Sequence, residues 1–588
     1  MVNEPSPDEL PAYSGSDLVV DILKEWGIRY LALNPGASFR GLHDSLVNHG
    51  GGEPEIILVP HEKVAVGIAH GYAKATGQMM GVVLHDLVGL LHGTMGVYYA
   101  YVDRAPMVIL GGAGPMDAAR RRPWIDWVHT ANVQNTAVRD YTKWDDHPHS
   151  VEAIPDSLER AYRVAAAEPQ GPVYVALDAD LQEQRIEGPR PVPVTDQALP
   201  TRLAPDPVAL QTLAEDLCAA ERPMIIAGSV GRDAAMWPVL IELAELVGAG
   251  VVDTNIRHNF PNQHPLNVTG SGELAGADLI LLLDIKDIGQ HTQLLTKEIR
   301  GDRLATATHA RVLEIGFGDL GISSWSADYG SLFHADARIV ADTSLALPAL
   351  VELCGRIVAG DDDVRTGDRD RRRAELGAAH DAVHARWMAR AQEPVDDGAM
   401  STARLVLEVG RALERHDWVL TAGTGNGWAT RLWDFDKHDR HPGRSLGTAT
   451  QIGISLGVAL AYRGTGRLVV DLQPDGDLMF DAAALWVATH HRIPMLVVMV
   501  NNRAYNNDWV HQKTMATQRG NPQENAAVGI TIEDPAPDFA GLARSFGWHA
   551  QGPVLRPEDI GPAIAEAVAV ITATGQPALV DIVCTPDL

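Results

Sequence analysis

The stretch Val469-Val470-Asp471-Leu472-Gln473-Pro474-Asp475-Gly476-Asp477, taken with Val497-Val498-Met499-Val500-Asn501-Asn502, decides how this chain is read. Each is an apolar run that ends in polar residues, an Asp-Gly turn in the first and an Asn pair in the second. The interval from Asp475 to Asn502 is about the length of one strand–helix–strand unit. Both polar clusters are therefore expected at the carboxyl ends of adjacent parallel strands, where open α/β sheets bind ligands. A carboxylate, an amide oxygen and loop carbonyls placed there can hold Mg²⁺, which in turn holds phosphate groups. Taken singly, a surface Asp-Gly turn or an Asn pair closing a strand is commonplace. Together at this spacing, with Gly476 permitting close backbone approach, they favour a metal–phosphate anchor.

Working outward, apolar runs backed by turn or helix-start residues recur along the chain, the pattern of parallel strands alternating with helices. They fall at Tyr30–Leu33, Ile56–Val59, Val82–Leu84, Met107–Leu110 and Val173–Leu177, then at Met224–Ala227, Leu279–Leu283 and Val312–Ile315, and finally at Trp418–Leu420, Leu468–Leu472, Met495–Val500 and Leu579–Val583. A Pro-rich segment from Gly188 to Pro207 and a charged one from Gly360 to Arg373 separate three blocks; the second is expected to run into a helix near Glu375–Ala391. The fold class is thus α/β, with three doubly wound parallel-sheet domains at 14–187, 205–357 and 395–588. The middle block carries no nucleotide fingerprint; its Gly228-Ser229-Val230-Gly231 reads as a turn.

Composition bounds the partners. The chain has 588 residues and a net charge of −28, which disfavours nucleic acid and anionic membranes as partners. Its cysteines, Cys218, Cys354 and Cys584, are widely spaced, so neither a disulfide framework nor a zinc site is expected. The segment Met1 to Tyr13 is polar and acidic, unlike a signal peptide. No apolar run approaches the ~20 residues of a membrane span. The expectation is a cytoplasmic protein.

Further constellations carry candidate chemistry. Glu62 follows a strand and a Pro, in the first turn of a helix rich in small residues (Gly67, Ala69, Gly71, Ala73). A first-turn Glu often only complements the helix dipole; the small residues suggest that close packing pushes this one into an apolar contact. Asn34-Pro35-Gly36-Ala37-Ser38 reads as a strand-to-helix turn or as a pocket wall. His85 ends a strand in Leu84-His85, where it is either a hydrogen-bonded core residue or a proton-transfer group; His92 follows nearby. Asp508 is an acid facing a pocket or a helix N-cap, with His511 a weaker candidate. The loop Thr424-Gly425-Asn426-Gly427 suits backbone N–H donation to a phosphate.

On these residues the chain resembles the thiamine-diphosphate enzymes of the acetolactate synthase, pyruvate decarboxylase and benzoylformate decarboxylase superfamily, over nearly its whole length. The resemblance implies a homodimer or homotetramer with active sites at the dimer interface, binding thiamine diphosphate, Mg²⁺ and a 2-oxo acid. It implies that Glu62 bonds the cofactor's aminopyrimidine and promotes its imino tautomer, a role that a carboxylate in a dry contact can perform. Asp475, Asn502 and the Ala504 carbonyl would hold the metal. Thr424, Gly425, Asn426, Gly476, Asp477, Tyr505 and Thr448 would contact the cofactor, and Pro35, Gly36, Ala37 and His92 would line the substrate pocket. Leu84-His85 and Asn34-Pro35-Gly36 match the benzoylformate decarboxylase pattern, with Ala37 in place of its serine. Asp508 sits where pyruvate decarboxylases carry a catalytic Glu.

The departures are Pro474 and Asp477 flanking Asp475-Gly476, Thr448 where a large apolar residue supports the cofactor, and Gly111-Gly112 where acetolactate synthases have a glutamine. Asp477 adds negative charge near a diphosphate, so it is expected to turn away or to approach the metal. The leading expectation is non-oxidative decarboxylation of a 2-oxo acid. The alternatives are an acetolactate synthase-like transferase that forms an acyloin, and a non-catalytic nucleotide-binding protein.

Overall fold

The computed structural model describes residues 13–187, 199–286, 293–295, 303–305, 310–321, 334–394, 400–445 and 449–586. Thr448 and most of the Pro-rich segment after Gly188 lie outside the described residues. The chain divides into two compact units, Met1–Thr201 and Arg202–Leu588.

The first unit holds a six-stranded parallel sheet of β1 (Tyr30–Leu33), β2 (Glu55–Leu58), β3 (Met80–Leu84), β4 (Met107–Ala113), β5 (Trp144–Asp146) and β6 (Pro172–Asp178), in the order β2-β1-β3-β4-β6-β5. β1, β3, β4 and β6 are buried along their whole length, as expected where helices cover both faces of a parallel sheet. The strand order reverses between β1 and β3. That switch point sets the loop after Leu33 beside the end of Leu84, at the carboxyl edge where such sheets take ligands.

The second unit holds two parallel sheets. One comprises β7 (Pro223–Ala227), β8 (Gly250–Asp253), β9 (Leu279–Leu283), β12 (Arg311–Gly316) and β13 (Ala337–Val340), in the order β13-β12-β9-β7-β8; a short antiparallel ribbon, β10 (Gln293–Leu295) and β11 (Arg303–Ala305), falls between β9 and β12 in sequence. Its switch point lies between β7 and β9, and protein fills it. A Cβ on Gly228 would stand 2.3 Å from the Asp284 carbonyl oxygen, and Arg232 bridges Asp284 at 2.7 Å and Asp342 at 2.6 Å. Gly228–Gly231 is thus a turn leading into the short helix Val230–Arg232.

The other sheet comprises β14 (Trp418–Thr424), β15 (Leu468–Pro474), β16 (Leu496–Asn501), β17 (His549–Val554) and β18 (Ala578–Val583), in the order β14-β15-β16-β18-β17. β15 and β16 pair in parallel with Pro474 opposite Val500. The Asp-Gly turn and the Asn pair therefore emerge side by side at one edge, as the sequence implied.

Two expectations are corrected. The charged segment is helix: Asp362 caps it by accepting the Arg365 N–H, and it runs from Asp363 to Ala391 rather than starting near Glu375. Side-chain pairs such as Arg371–Asp368 and Arg373–Asp370, three residues apart, make that charge pattern compatible with a solvated helix. Asp508 is not an N-cap. Tyr505 holds that position, and Asp508 lies exposed in the first turn of helix Asn506–Arg519.

Candidate active site

In the second unit, β15 ends at Pro474 and the helix Asp475–Phe480 starts at once, so Asp475 occupies a helix N-terminus at a sheet edge. Its carboxylate is 2 % exposed. Oδ1 accepts the Gly476 N–H at 2.8 Å, while Oδ2 is buried with no hydrogen-bond partner. Burial pushes this carboxyl up to about 6, against the pull of the backbone N–H groups of Gly476, Arg503 and Ala504. A buried carboxylate oxygen left unmatched is costly unless a cation completes it. Beside it, Asn502 Oδ1 accepts the Ala504 N–H at 3.0 Å, closing a turn through Arg503 in the left-handed region. Gly476 meets the Tyr505 ring: a Cβ there would lie 2.7 Å from Tyr505 Cε1.

A cavity of about 440 Å³ opens next to this edge. One wall is the segment from Ala422 to Gly427 with Ser445, Gln451, Pro474 and Asn502. Gly425, Asn426 and Gly427 have φ of +54°, +54° and +81°, a tight loop of the kind whose N–H groups converge on anions. Gly423 is obligatory, since a Cβ would stand 2.2 Å from both Gln451 Nε2 and the Leu472 carbonyl oxygen. Gln451 is pinned in turn by Asp471 Oδ1 at 2.9 Å and Leu472 O at 2.8 Å. The orphaned Asp475 oxygen, the glycine loop and the cavity that Pro474 and Asn502 border fit a metal-bound diphosphate.

Asp477 turns away. Its Oδ2 accepts the Ala449 N–H and its Oδ1 the Gln473 amide at 3.1 Å, and it does not line the cavity. The charge that seemed misplaced in the sequence is taken up by one backbone N–H and one side-chain amide.

In the first unit, helix Glu62–Thr76 starts at His61, whose Nδ1 accepts the Lys63 N–H, and ends at Gly77 with φ of +69°. It packs on helix Leu87–Val102 so tightly that a Cβ on Gly96 would lie 2.8 Å from Val66 Cβ. Glu62 is 7 % exposed. Its contact is polar rather than purely apolar: His92 Nδ1 lies 3.2 Å from Glu62 Oε2, and the His61 ring stacks on His92 at 5.1 Å. The rest of the His92 side chain is exposed.

Glu62 and His85 meet across Gly89. A Cβ there would stand 2.9 Å from His85 Cβ and 3.1 Å from Glu62 Oε1. His85 is equally close to Gly36, where a Cβ would lie 2.7 Å from its Cγ. Both glycines let the His85 side chain approach the backbone more closely than a Cβ would allow. Pro35 and Ala37 are exposed, and with Gly36 they line an outer groove.

Ala37 carries no hydroxyl, but the next residue does. Ser38 Oγ lies 2.7 Å from His85 Nδ1 and accepts the Asp86 N–H. On the other side, His85 Nε2 lies 3.2 Å from His129 Nδ1. Burial, and next the neighbouring His129, lower the His85 pKa, with Glu62 opposing. Asp86 is 2 % exposed, and burial raises it to about 7. Ser38 and His129 escaped the sequence reading. Ser38 was legible as the next hydroxyl in an Asn-Pro-Gly loop, whereas nothing near His129 marks it.

Two family models match the chain: thiamine pyrophosphate enzyme, N-terminal TPP binding domain, over residues 13–137, and thiamine pyrophosphate enzyme, C-terminal TPP binding domain, over residues 421–582. Among curated relatives, the chain is 25 % identical to glyoxylate carboligase of Escherichia coli O157:H7, covering 96 % of this chain and 92 % of that one. It is 25 % identical to the acetolactate synthase isozyme 3 large subunit of Escherichia coli K12, covering 94 % and 92 %. Among solved structures, the benzoylformate decarboxylase of Polynucleobacter necessarius superposes with a TM-score of 0.75 at 18 % identity, covering 98 % of this chain and 99 % of that one.

Proposed function

This chain belongs to the thiamine-diphosphate-dependent enzyme superfamily, and on that premise we propose that it is a Mg²⁺-dependent lyase that decarboxylates a 2-oxo acid without net oxidation. The observation that carries this reading is the chain of proton-bearing groups Ser38–His85–His129, with His85 set against Glu62 across Gly89. Such a reaction needs an acid near the carbon that loses CO₂, and a positioned histidine is the usual device.

When bound, thiamine diphosphate supplies a carbon nucleophile and an electron sink for breaking the bond next to a carbonyl. In this reading Asp475, Asn502 and the Ala504 carbonyl hold Mg²⁺, oxygen ligands suited to that hard cation. The Thr424–Gly427 loop receives the diphosphate, and Tyr505 lies against the metal turn at Gly476. Glu62 holds a proton at the pyrimidine nitrogen, and its burial keeps water from competing for it. His85 holds the proton that the product carbon receives. The working assembly is a homodimer or homotetramer.

A second reading, an acyloin-forming carboligase, is favoured by the curated relatives named glyoxylate carboligase and acetolactate synthase. The test is to incubate the Mg²⁺ holoenzyme with benzoylformate and with pyruvate and to assay aldehyde and acyloin separately. Free aldehyde is the expected product; acyloin without aldehyde overturns the lyase reading in favour of the carboligase.

A further inference from the structure

We propose that His129 is a positioning and proton-relay residue, holding with His85 the single proton that each turnover consumes. The inference rests on the decarboxylase reading. That reaction is R–CO–COO⁻ + H⁺ → R–CHO + CO₂. The bond between the carbonyl and carboxylate carbons breaks, its electron pair stays with the carbonyl carbon, and one proton must arrive there. The donor is then empty and must be reloaded from solvent before the next cycle.

His85 alone is poorly placed for reloading. Its side chain is 13 % exposed, and both ring nitrogens already face protein groups: Nδ1 faces Ser38 Oγ at 2.7 Å and Nε2 faces His129 Nδ1 at 3.2 Å. His129 is likewise partly exposed, and only its Nδ1 is turned to His85. His85 gives up a ring proton towards the product carbon, and His129, reloaded from water, returns one across the 3.2 Å gap to His85 Nε2. Two imidazoles this close cannot both be cationic at little cost, so a proton on one ring disfavours a second on the other.

The short helix Ile125–His129 is built to hold this geometry. Asp126 is 3 % exposed; it accepts the Arg122 N–H at 2.6 Å and the Arg122 guanidinium at 3.0 Å. That pairing fixes the segment although Trp124 and Trp127, on the same turn, are left exposed. The charged groups that face the pair are Glu62, Asp86, Asp126 and Arg122.

The experiment compares wild-type holoenzyme with His129→Ala and His129→Gln, using the 2-oxo acid that the wild type decarboxylates. Expected is a fall in kcat of about 10²-fold in dilute buffer, with KM little changed. Added imidazole restores the rate of His129→Ala in proportion to its concentration, whereas His129→Gln, which keeps a hydrogen-bonding side chain but cannot relay, is not rescued. A kcat within twofold of wild type, or a loss indifferent to imidazole, overturns the relay. A second measurement needs no substrate. In ¹⁵N-histidine NMR of the holoenzyme, the His85 and His129 rings should titrate as a coupled pair, and His129→Ala should leave His85 with a single independent titration. Independent titration in the wild type overturns the proposal, whereas a coupled pair in a protein that releases no aldehyde overturns only the decarboxylase reading.

Discussion

The Asp477 carboxylate accepts the Ala449 backbone N–H through Oδ2 at 2.5 Å and the Gln473 side-chain amide through Oδ1 at 3.1 Å. Ala449 stands at φ +64°, two residues before the buried helix Gln451–Ala461. A charge-assisted bond from a carboxylate to a strained turn is worth more than a neutral one, roughly 1.5–3 kcal/mol. Asp477→Asn should therefore destabilise the protein by an amount of that order, because an amide offers one acceptor to two donors. Urea unfolding of both proteins at pH 7 measures it; equal midpoints would remove Asp477 from this role.

The orphaned Oδ2 of Asp475 makes a separate prediction. With Asp475→Ala, Mg²⁺ loses a buried anionic ligand and the diphosphate loses its bridge to the protein. Calorimetric titration of thiamine diphosphate in Mg²⁺ should show affinity falling by at least ~10²-fold, since losing a charged buried contact costs about 3 kcal/mol or more. Excess Mg²⁺ should not restore it. An unchanged Kd would take the metal role away from this carboxylate.

Much of this site was legible because it follows backbone rules. The β15 and β16 runs are unbroken apolar strands, so their polar ends had to emerge together at one sheet edge. The strands read from apolar runs were placed to within a few residues for the same reason, whereas β5, β8, β13 and β17 were not read. The charged segment from Gly360 misled because its arginines and acids look like a linker until they are wound onto one helix. Asp477 could not be placed from sequence, because its partner Ala449 is 28 positions away in a loop without periodicity. His129 was invisible for a related reason. It lies 44 residues from His85, and only the fold around β3 brings the two rings together.

Buried carboxyls set a pH dependence for the unliganded protein. Asp471 is fully buried, and burial raises its pKa to about 7 although Gln451 donates to it. An unfolded Asp titrates near 3.9. Between about pH 4 and pH 7 the folded state therefore binds more protons than the unfolded one, and this group's contribution falls as pH rises through that window. Asp86, near 7, acts with the same sign. Asp471→Asn keeps an acceptor for the Gln451 amide and removes the charge. It should raise the unfolding free energy at pH 8 by on the order of a few kcal/mol and flatten the slope of stability against pH. Denaturant curves from pH 5 to 8 check this, and an unchanged slope would mean that Asp471 is not the titrating group.

Glu62 and Gly89 give a paired prediction about the first unit. Glu62→Gln keeps the shape of the side chain and a hydrogen bond to His92 but cannot hold or yield a proton. Turnover should fall by about 10²–10⁴-fold, with the thermal midpoint and thiamine diphosphate affinity close to wild type. Gly89→Ala leaves both functional groups in place but drives a methyl to 2.9 Å from His85 Cβ and 3.1 Å from Glu62 Oε1. His85 cannot yield freely, since its ring is held by Ser38 and His129, and the Glu62 carboxylate must move aside by a few tenths of an ångström. The expected result is a kcat loss comparable to that of Glu62→Gln, because displacing reacting groups by even about 1 Å can cost ~10²-fold. Steady-state kinetics on both variants, with circular dichroism to confirm the fold, decide the matter. Wild-type kcat in Gly89→Ala would show that the packing of Glu62 and His85 around Gly89 is incidental to turnover.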